Sequence, residues 1–177
     1  MTENGGELVF MFRGEITEFQ FYQNRKAEKL IMMPFCQEDL EMHGHNFFEL
    51  AYITGGTAEH TLENEGKTIS AGDYFFVDYG CLHGFQNCKN LTLINCLFLP
   101  ETVDETLQGC RSFSQLLQGC LLKYYRMSLG QAKFARVFHD RDGQVGQLMQ
   151  EMLLEYQEQK VGCYPLLRFK LLELSLI

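Results

Sequence analysis

The chain predicts a mainly β fold, an antiparallel barrel or double sheet, followed by a C-terminal α-helical segment. Three observations carry this reading. Up to Pro100, short runs rich in Phe, Val, Ile and Met are separated by short turns of Gly, Asn and Asp. After Pro100 the apolar period lengthens to that of a helix. Between the early runs lies His43-Gly44-His45-Asn46-Phe47-Phe48-Glu49, and in an extended segment its odd-numbered His43, His45 and Glu49 share one face.

In chain order, Glu7 to Phe12, Glu18 to Gln23 and Lys29 to Met33 read as strands, the residues before about Arg13 fitting a mobile arm equally well. Pro34 is expected to break the pattern before the polar Gln37 to Glu41. Phe47 to Thr54 is apolar at both parities and so should be covered on both faces, with Gly55-Gly56 ending it. Thr57 to Leu62 and Lys67 to Ser70 form a hairpin through Glu63-Asn64-Glu65-Gly66, where Gly66 is expected to supply a positive φ. Ala71-Gly72-Asp73 is a further turn, and the strand Tyr74 to Val77 delivers Gly80 and His83 at its end. Leu91 to Leu99 is the last strong strand, stopped by Pro100. Such a sheet removes exposed edges by closing on itself.

Thr102 to Tyr125 has the length and composition of one or two helices. Asp142 to Gln159 predicts another, because Val145, Leu148, Met149, Met152, Leu153 and Tyr156 form a single stripe. Gly162 is expected to end it, and Pro165 to lie in the first turn of a last helix running to Ile177. That helix carries Leu166, Leu167, Phe169, Leu171, Leu172, Leu174, Leu176 and Ile177, too wide a set for one core, which predicts a homodimer through the C-terminal helices. No stop signal follows, so the natural protein is expected to continue past Ile177.

Composition narrows the function. With 46% hydrophobic and 21% charged residues and no apolar run of membrane length, the chain reads as one soluble globular domain with no membrane segment. The polar, acidic start Met1 to Glu7 argues against a signal peptide and for a cytoplasmic location. Seven Cys without a C-x-x-C pair predict reduced, mostly buried thiols. A net charge of -8 argues against nucleic-acid contact by these residues.

A third imidazole, His83, joining His43, His45 and Glu49 would give a set suited to a first-row divalent metal with open positions. The same four groups are equally able to hold an organic ligand. The spacings are those of a known pattern: His43, His45, Glu49 and Gly56 fit its first half, Gly72, Gly80, His83 and Asn87 its second. In these residues the chain resembles the cupin family. It departs where Gln37 stands for the leading Gly and Asp78 for the Pro, and neither departure removes a ligand.

From about Glu41 onward the chain further resembles the N-terminal half of AraC-type transcription regulators, through Phe48-Glu49-Leu50-Ala51-Tyr52-Ile53 before Gly55-Gly56, and Ser70-Ala71-Gly72-Asp73 before Tyr74. That resemblance implies a cupin-type barrel (double-stranded β-helix) over residues 1–100, binding a small-molecule effector such as a sugar, and a helical dimerisation or linker segment over 101–177. DNA would be bound by a C-terminal domain beyond 177. The ligand would contact His43, His45, Glu49 and His83, with Phe47, Tyr52 and Phe85 shaping the walls, although Tyr52 and Phe85 are also ordinary core residues. The implied metal, Zn, Ni, Fe or Mn, would be held by His43, His45, Glu49 and His83. The alternative is a small metal-dependent cupin enzyme, a dioxygenase or isomerase. No further acid or base constellation supports it, and no catalytic residue is assigned.

Overall fold

The computed structural model describes residues 30–103, 109–112, 115–116, 137–175 and 177. The strands expected at 7–12 and 18–23, and most of the helical stretch expected at 102–125, lie outside the described residues.

Two strands organise the rest. β3 (Phe48–Leu62) and β6 (His83–Phe98) are 15 and 16 residues long and pair antiparallel along nearly their whole length. At one end this pair is flanked by β1 (Leu30–Gln37) on β6 and by β5 (Asp73–Val77) on β3. At the other it is flanked by β2 (Leu40–His43) on β6 and β4 (Glu65–Ser70) on β3. A short β7 (Val137–His139), not foreseen from the sequence, pairs with β5 and is held by a 2.8 Å contact between His139 Nδ1 and Asp73 Oδ1.

The long pair serves both sets of flanking strands within one sheet of seven described strands because it bends. Its register shifts between Ile53 and Glu59, and there Gly56 (φ +73), Asn87 (φ 55) and Asn90 (φ 50) take left-handed backbone. A Cβ on Gly56 would collide with the Asn90 carbonyl. Asn tolerates that region better than most residues, which gives the motif's Asn87 a backbone role. Gly55-Gly56 therefore bends the strand and does not end it, contrary to expectation.

Three other expectations are corrected. Pro34 lies inside β1, opposite Ile94; β1 is hydrogen-bonded to β6 and ends the described strand order, a place where a missing N–H is tolerated. The positive φ of the hairpin belongs to Glu63 (φ 55), while Gly66 sits in β4 opposite Thr61. His83 opens β6 and does not close the preceding strand, so residues 83–90 are paired where only a connection was expected.

Alternation along these strands separates two cores. Ala51, Ile53, Phe75, Val77, Leu91 and Leu93 point inward with Phe85. Phe48, Leu50, Phe76, Ile94, Cys96 and Phe98 point outward and are covered by helices. The expectation that Phe47 to Thr54 is covered on both faces thus holds from Phe48 to Ile53.

α1 (Gln144–Glu158) lays its predicted stripe, including Val145, Met149 and Met152, on that outer face. α2 (Cys163–Leu174) adds Cys163, Leu167, Leu171 and Leu174 to the same core. α1 ends with Gln159 in left-handed backbone (φ 49), and Gly162 (φ 93) instead caps the start of α2, with Pro165 in its first turn. Lys170 of α2 pairs with Glu151 of α1. Leu154, Leu166 and Phe169 are left exposed. The six described cysteines are free thiols, but only Cys96 and Cys163 are buried, fewer than expected. No described helix is long and apolar enough to cross a membrane.

Candidate functional site

A cavity of about 290 Å³ opens among β1, β2 and the inward faces of β3 and β6. Met33, Phe35, Phe47, Phe85 and Leu97 give it apolar walls, Gln37, Glu38 and Asp39 a polar rim, and His43, His45, Glu49, His83 and Asn95 the remaining polar groups. No lining residue among those described is Lys or Arg.

Backbone geometry places the four polar side chains. β2 ends at His43, Gly44 breaks the extension, His45 makes an isolated bridge, and β3 resumes at Phe48. The segment is therefore not one continuous strand, yet His43, His45 and Glu49 still meet on the inner side, where His83 pairs directly with His43 across the β2–β6 ladder. Gly44 has Cys81 and Leu82 against it, leaving little space for a side chain. All four groups are at least nine-tenths buried.

His45, Glu49 and His83 form the compact group, their ligand atoms lying within 4.8 Å of one another. His45 Nε2 lies 3.2 Å, and His83 Nε2 3.7 Å, from Glu49 Oε2. His43 stands beside this group and not in it; its ring centroid is 4.3 Å from that of His83 and 6.5 Å from that of His45. Of the four residues singled out from the sequence, three thus form the compact group and His43 lies beside them.

Hydrogen bonds behind the rings fix what faces the pocket. His45 Nδ1 lies 2.9 Å from the Phe47 carbonyl oxygen, and His43 Nδ1 3.0 Å from that of Glu41. A carbonyl only accepts, so each Nδ1 carries a proton and donates it. In the neutral ring this leaves Nε2 as an acceptor. His45 Nε2 and His83 Nε2 are buried with no hydrogen-bond partner. Two orphaned imidazole nitrogens beside a carboxylate fit a divalent metal, for which two His and one carboxylate with open positions are a familiar donor set.

The electrostatics agree. Burial would raise the Glu49 carboxyl, but the imidazoles of His83 and His45 outweigh it and bring it down to about 2. Burial holds His83 well below its ordinary value against the pull of Glu49, and lowers His43. Burial thus disfavours the charged forms of His43 and His83 while the Glu49 carboxyl is kept ionised, and no Lys or Arg is among the described lining.

Of the wall residues expected from the sequence, Phe47 and Phe85 line the cavity, and Phe47 stacks on His45 at 4.1 Å. Tyr52 does not. Three positions after Glu49 on one strand, it points to the opposite face and packs against the helical core beside Gly146. Sequence reasoning missed Asn95 and His60, the latter buried with Nε2 3.5 Å from His83 Nδ1. Glu49 is odd-numbered and His60 even-numbered, which on an unbroken strand would set them on opposite faces, so only the register shift between them brings His60 inward.

Residues 31–167 match the family described as the AraC-like ligand binding domain. The chain is 29% identical over 67 residues to the HTH-type transcriptional activator RhaR of Yersinia pseudotuberculosis, covering 38% of this chain and 23% of that protein. It is 29% identical over 89 residues to the HTH-type transcriptional activator RhaS of Citrobacter koseri, covering 50% of this chain and 32% of that one. The matches thus span under a third of these relatives' length. Among solved structures, an RmlC-like cupin from Shewanella frigidimarina matches with a TM-score of 0.37 and 23% identity, covering 40% of this chain and 66% of that one.

Proposed function

Because the chain belongs to the AraC-like ligand-binding domain family, we propose that it is the effector-sensing domain of a transcription regulator, with the effector held in the cavity over His45, Glu49 and His83. The observation that carries this is the pair of buried, unpartnered Nε2 atoms at the floor of a cavity of small-molecule size. Acceptors at the floor, apolar walls and no lining Lys or Arg among the described residues suit a neutral molecule rich in hydroxyl donors, such as a sugar, better than a phosphate or carboxylate.

The finer reading places a divalent ion, Zn, Ni, Fe or Mn, among His45, Glu49 and His83, with His43 beside it. When bound, such an ion supplies a Lewis acid that draws in an oxygen of the effector. The division at residue 100 is then one of role: the barrel binds, and the helices seated on its outer face carry the signal and pair with a second copy through Leu154, Leu166 and Phe169. DNA contact belongs to a separate segment in this reading, consistent with the charge of -8, and the setting is cytoplasmic.

A signal requires the effector to prefer one arrangement of those helices. Strands β3 and β6 make this possible in one step, since their inner residues touch the cavity and their outer ones touch α1 and α2. The test is a thermal-shift screen of monosaccharides. A sugar present at 100 times its Kd should stabilise the domain by about 2.7 kcal/mol, and Glu49→Ala with His83→Ala should abolish the shift. A shift that survives the double substitution would move the effector elsewhere.

A further inference from the structure

One buried imidazole has no part in the site so far. His60 lies on β3 opposite Phe85, outside the cavity lining, with its ring stacked 4.0 Å from Phe75 and tilted against Phe85 at 4.8 Å. Its Nε2 is 3.5 Å from His83 Nδ1, on the far side of that ring from Glu49. Resting on the reading of His45, Glu49 and His83 as a cation site, we propose that His60 is a positioning residue: its Nε2 accepts a hydrogen bond from His83 Nδ1–H, so that His83 Nε2 presents its lone pair to the pocket floor.

The need for such a partner follows from the chemistry of the ring. A neutral imidazole holds one proton, and the hydrogen bond made by one nitrogen decides which nitrogen is left to ligate. His45 and His43 meet that need with the carbonyls of Phe47 and Glu41. For His83 the group in the equivalent place is His60 Nε2. The tautomer that donates from His83 Nδ1 puts the His60 proton on Nδ1, a buried atom with no hydrogen-bond partner. His60 thus accepts unsatisfied burial on its own far side, and His83 gains an oriented acceptor facing Glu49.

The experiment titrates Zn2+ into metal-free protein, wild type and two variants, and records 15N spectra of the imidazoles with and without zinc. His60→Phe keeps an aromatic ring between Phe75 and Phe85 but cannot accept a proton. His60→Gln keeps an acceptor through its amide oxygen. Wild type should bind one Zn2+ per chain with His83 protonated at Nδ1. His60→Phe should bind ~10–100-fold more weakly, with His83 redistributed between tautomers. His60→Gln should stay close to wild type in both. Equal zinc affinity in His60→Phe, an unchanged His83 spectrum in that variant, or a His60→Gln as weak as His60→Phe would each overturn the proposal. Failure of wild type to take zinc would sink the cation reading alone. The zinc-free spectra would still decide the role of His60, by whether His83 carries its proton on Nδ1 in wild type and loses that preference in His60→Phe.

Discussion

The two faces of β3 and β6 are built from neighbouring residues and do opposite things. Outward, Phe48, Leu50, Ile94, Cys96 and Phe98 meet α1 and α2 in an apolar layer. Inward, beside the apolar Ala51, Ile53 and Leu93, the same strands carry Glu49, His60, His83 and Asn95, several with polar atoms left unpaired. The outer face supplies stability through burial, about 1.5–3 kcal/mol for each large side chain. The inner face costs stability, because each buried, unsatisfied polar atom does. A protein keeps such groups where something else is to complete them.

The comparison is tested most severely at the bend that lets both faces exist. Gly56→Ala should cost more than 3 kcal/mol, since it combines a positive φ with a collision against the Asn90 carbonyl. Next, Leu167→Ala on the apolar side should cost about 2–5 kcal/mol in chemical denaturation. Glu49→Gln on the polar side should change stability by less while removing effector or ion binding. A Glu49→Gln loss as large as that of Leu167→Ala would show that the inner face is structural.

Acid should act on the inner face. His60 is pushed by burial from 6.5 down to about 4, and Glu49 is brought by the imidazoles from 4.5 to about 2 despite its burial. Both folded values lie below the unfolded ones, so in each case the unfolded chain takes up protons first and stability falls as pH drops. His60 governs the window from about 6.5 to 4 and Glu49 that from about 4.5 to 2, while His83, held well below its ordinary value by burial, adds to the loss as pH falls below 6.5. Melting temperatures of metal-free protein should decline through the first window, and His60→Phe should flatten that decline. An equally steep slope in the variant would assign it to other groups. The smallest effect on stability belongs to the exposed helical patch: Leu166→Glu with Phe169→Glu should leave unfolding nearly unchanged, yet convert the proposed dimer to a monomer in sedimentation. An unchanged mass would remove these residues from the interface.

The sequence disclosed most where spacing alone carries meaning. The spacing put His43, His45, Glu49 and His83 together, and all four line one cavity; the stripe from Val145 to Tyr156 foretold α1. Parity also foretold a strand covered on both faces. It failed where the chain changes direction. Gly55-Gly56 resembles a stop, and only the shifted pairing of Gly55 with Thr92 and Thr57 with Lys89 turns it into a bend. Once the bend is missed, His60 keeps the wrong face and escapes notice. Tyr52 went astray differently: its neighbourhood in sequence suggested the pocket, but three residues from Glu49 on a strand is the other side. His139 and β7 depend on Asp73, 66 residues away, and no local pattern announces them.

The alternation along Phe48 to Ile53 constrains how this protein can vary through time. One residue gained or lost there would exchange the two faces, driving a carboxylate against Met149 and Met152 and emptying the pocket of its acceptor. Lineages are therefore free to alter recognition by swapping side chains at inner positions, or by reshaping the rim at Gln37 to Asp39, but the length of this strand is closed to them. Diversity among relatives should accordingly be written in substitutions along β3 and in insertions outside it.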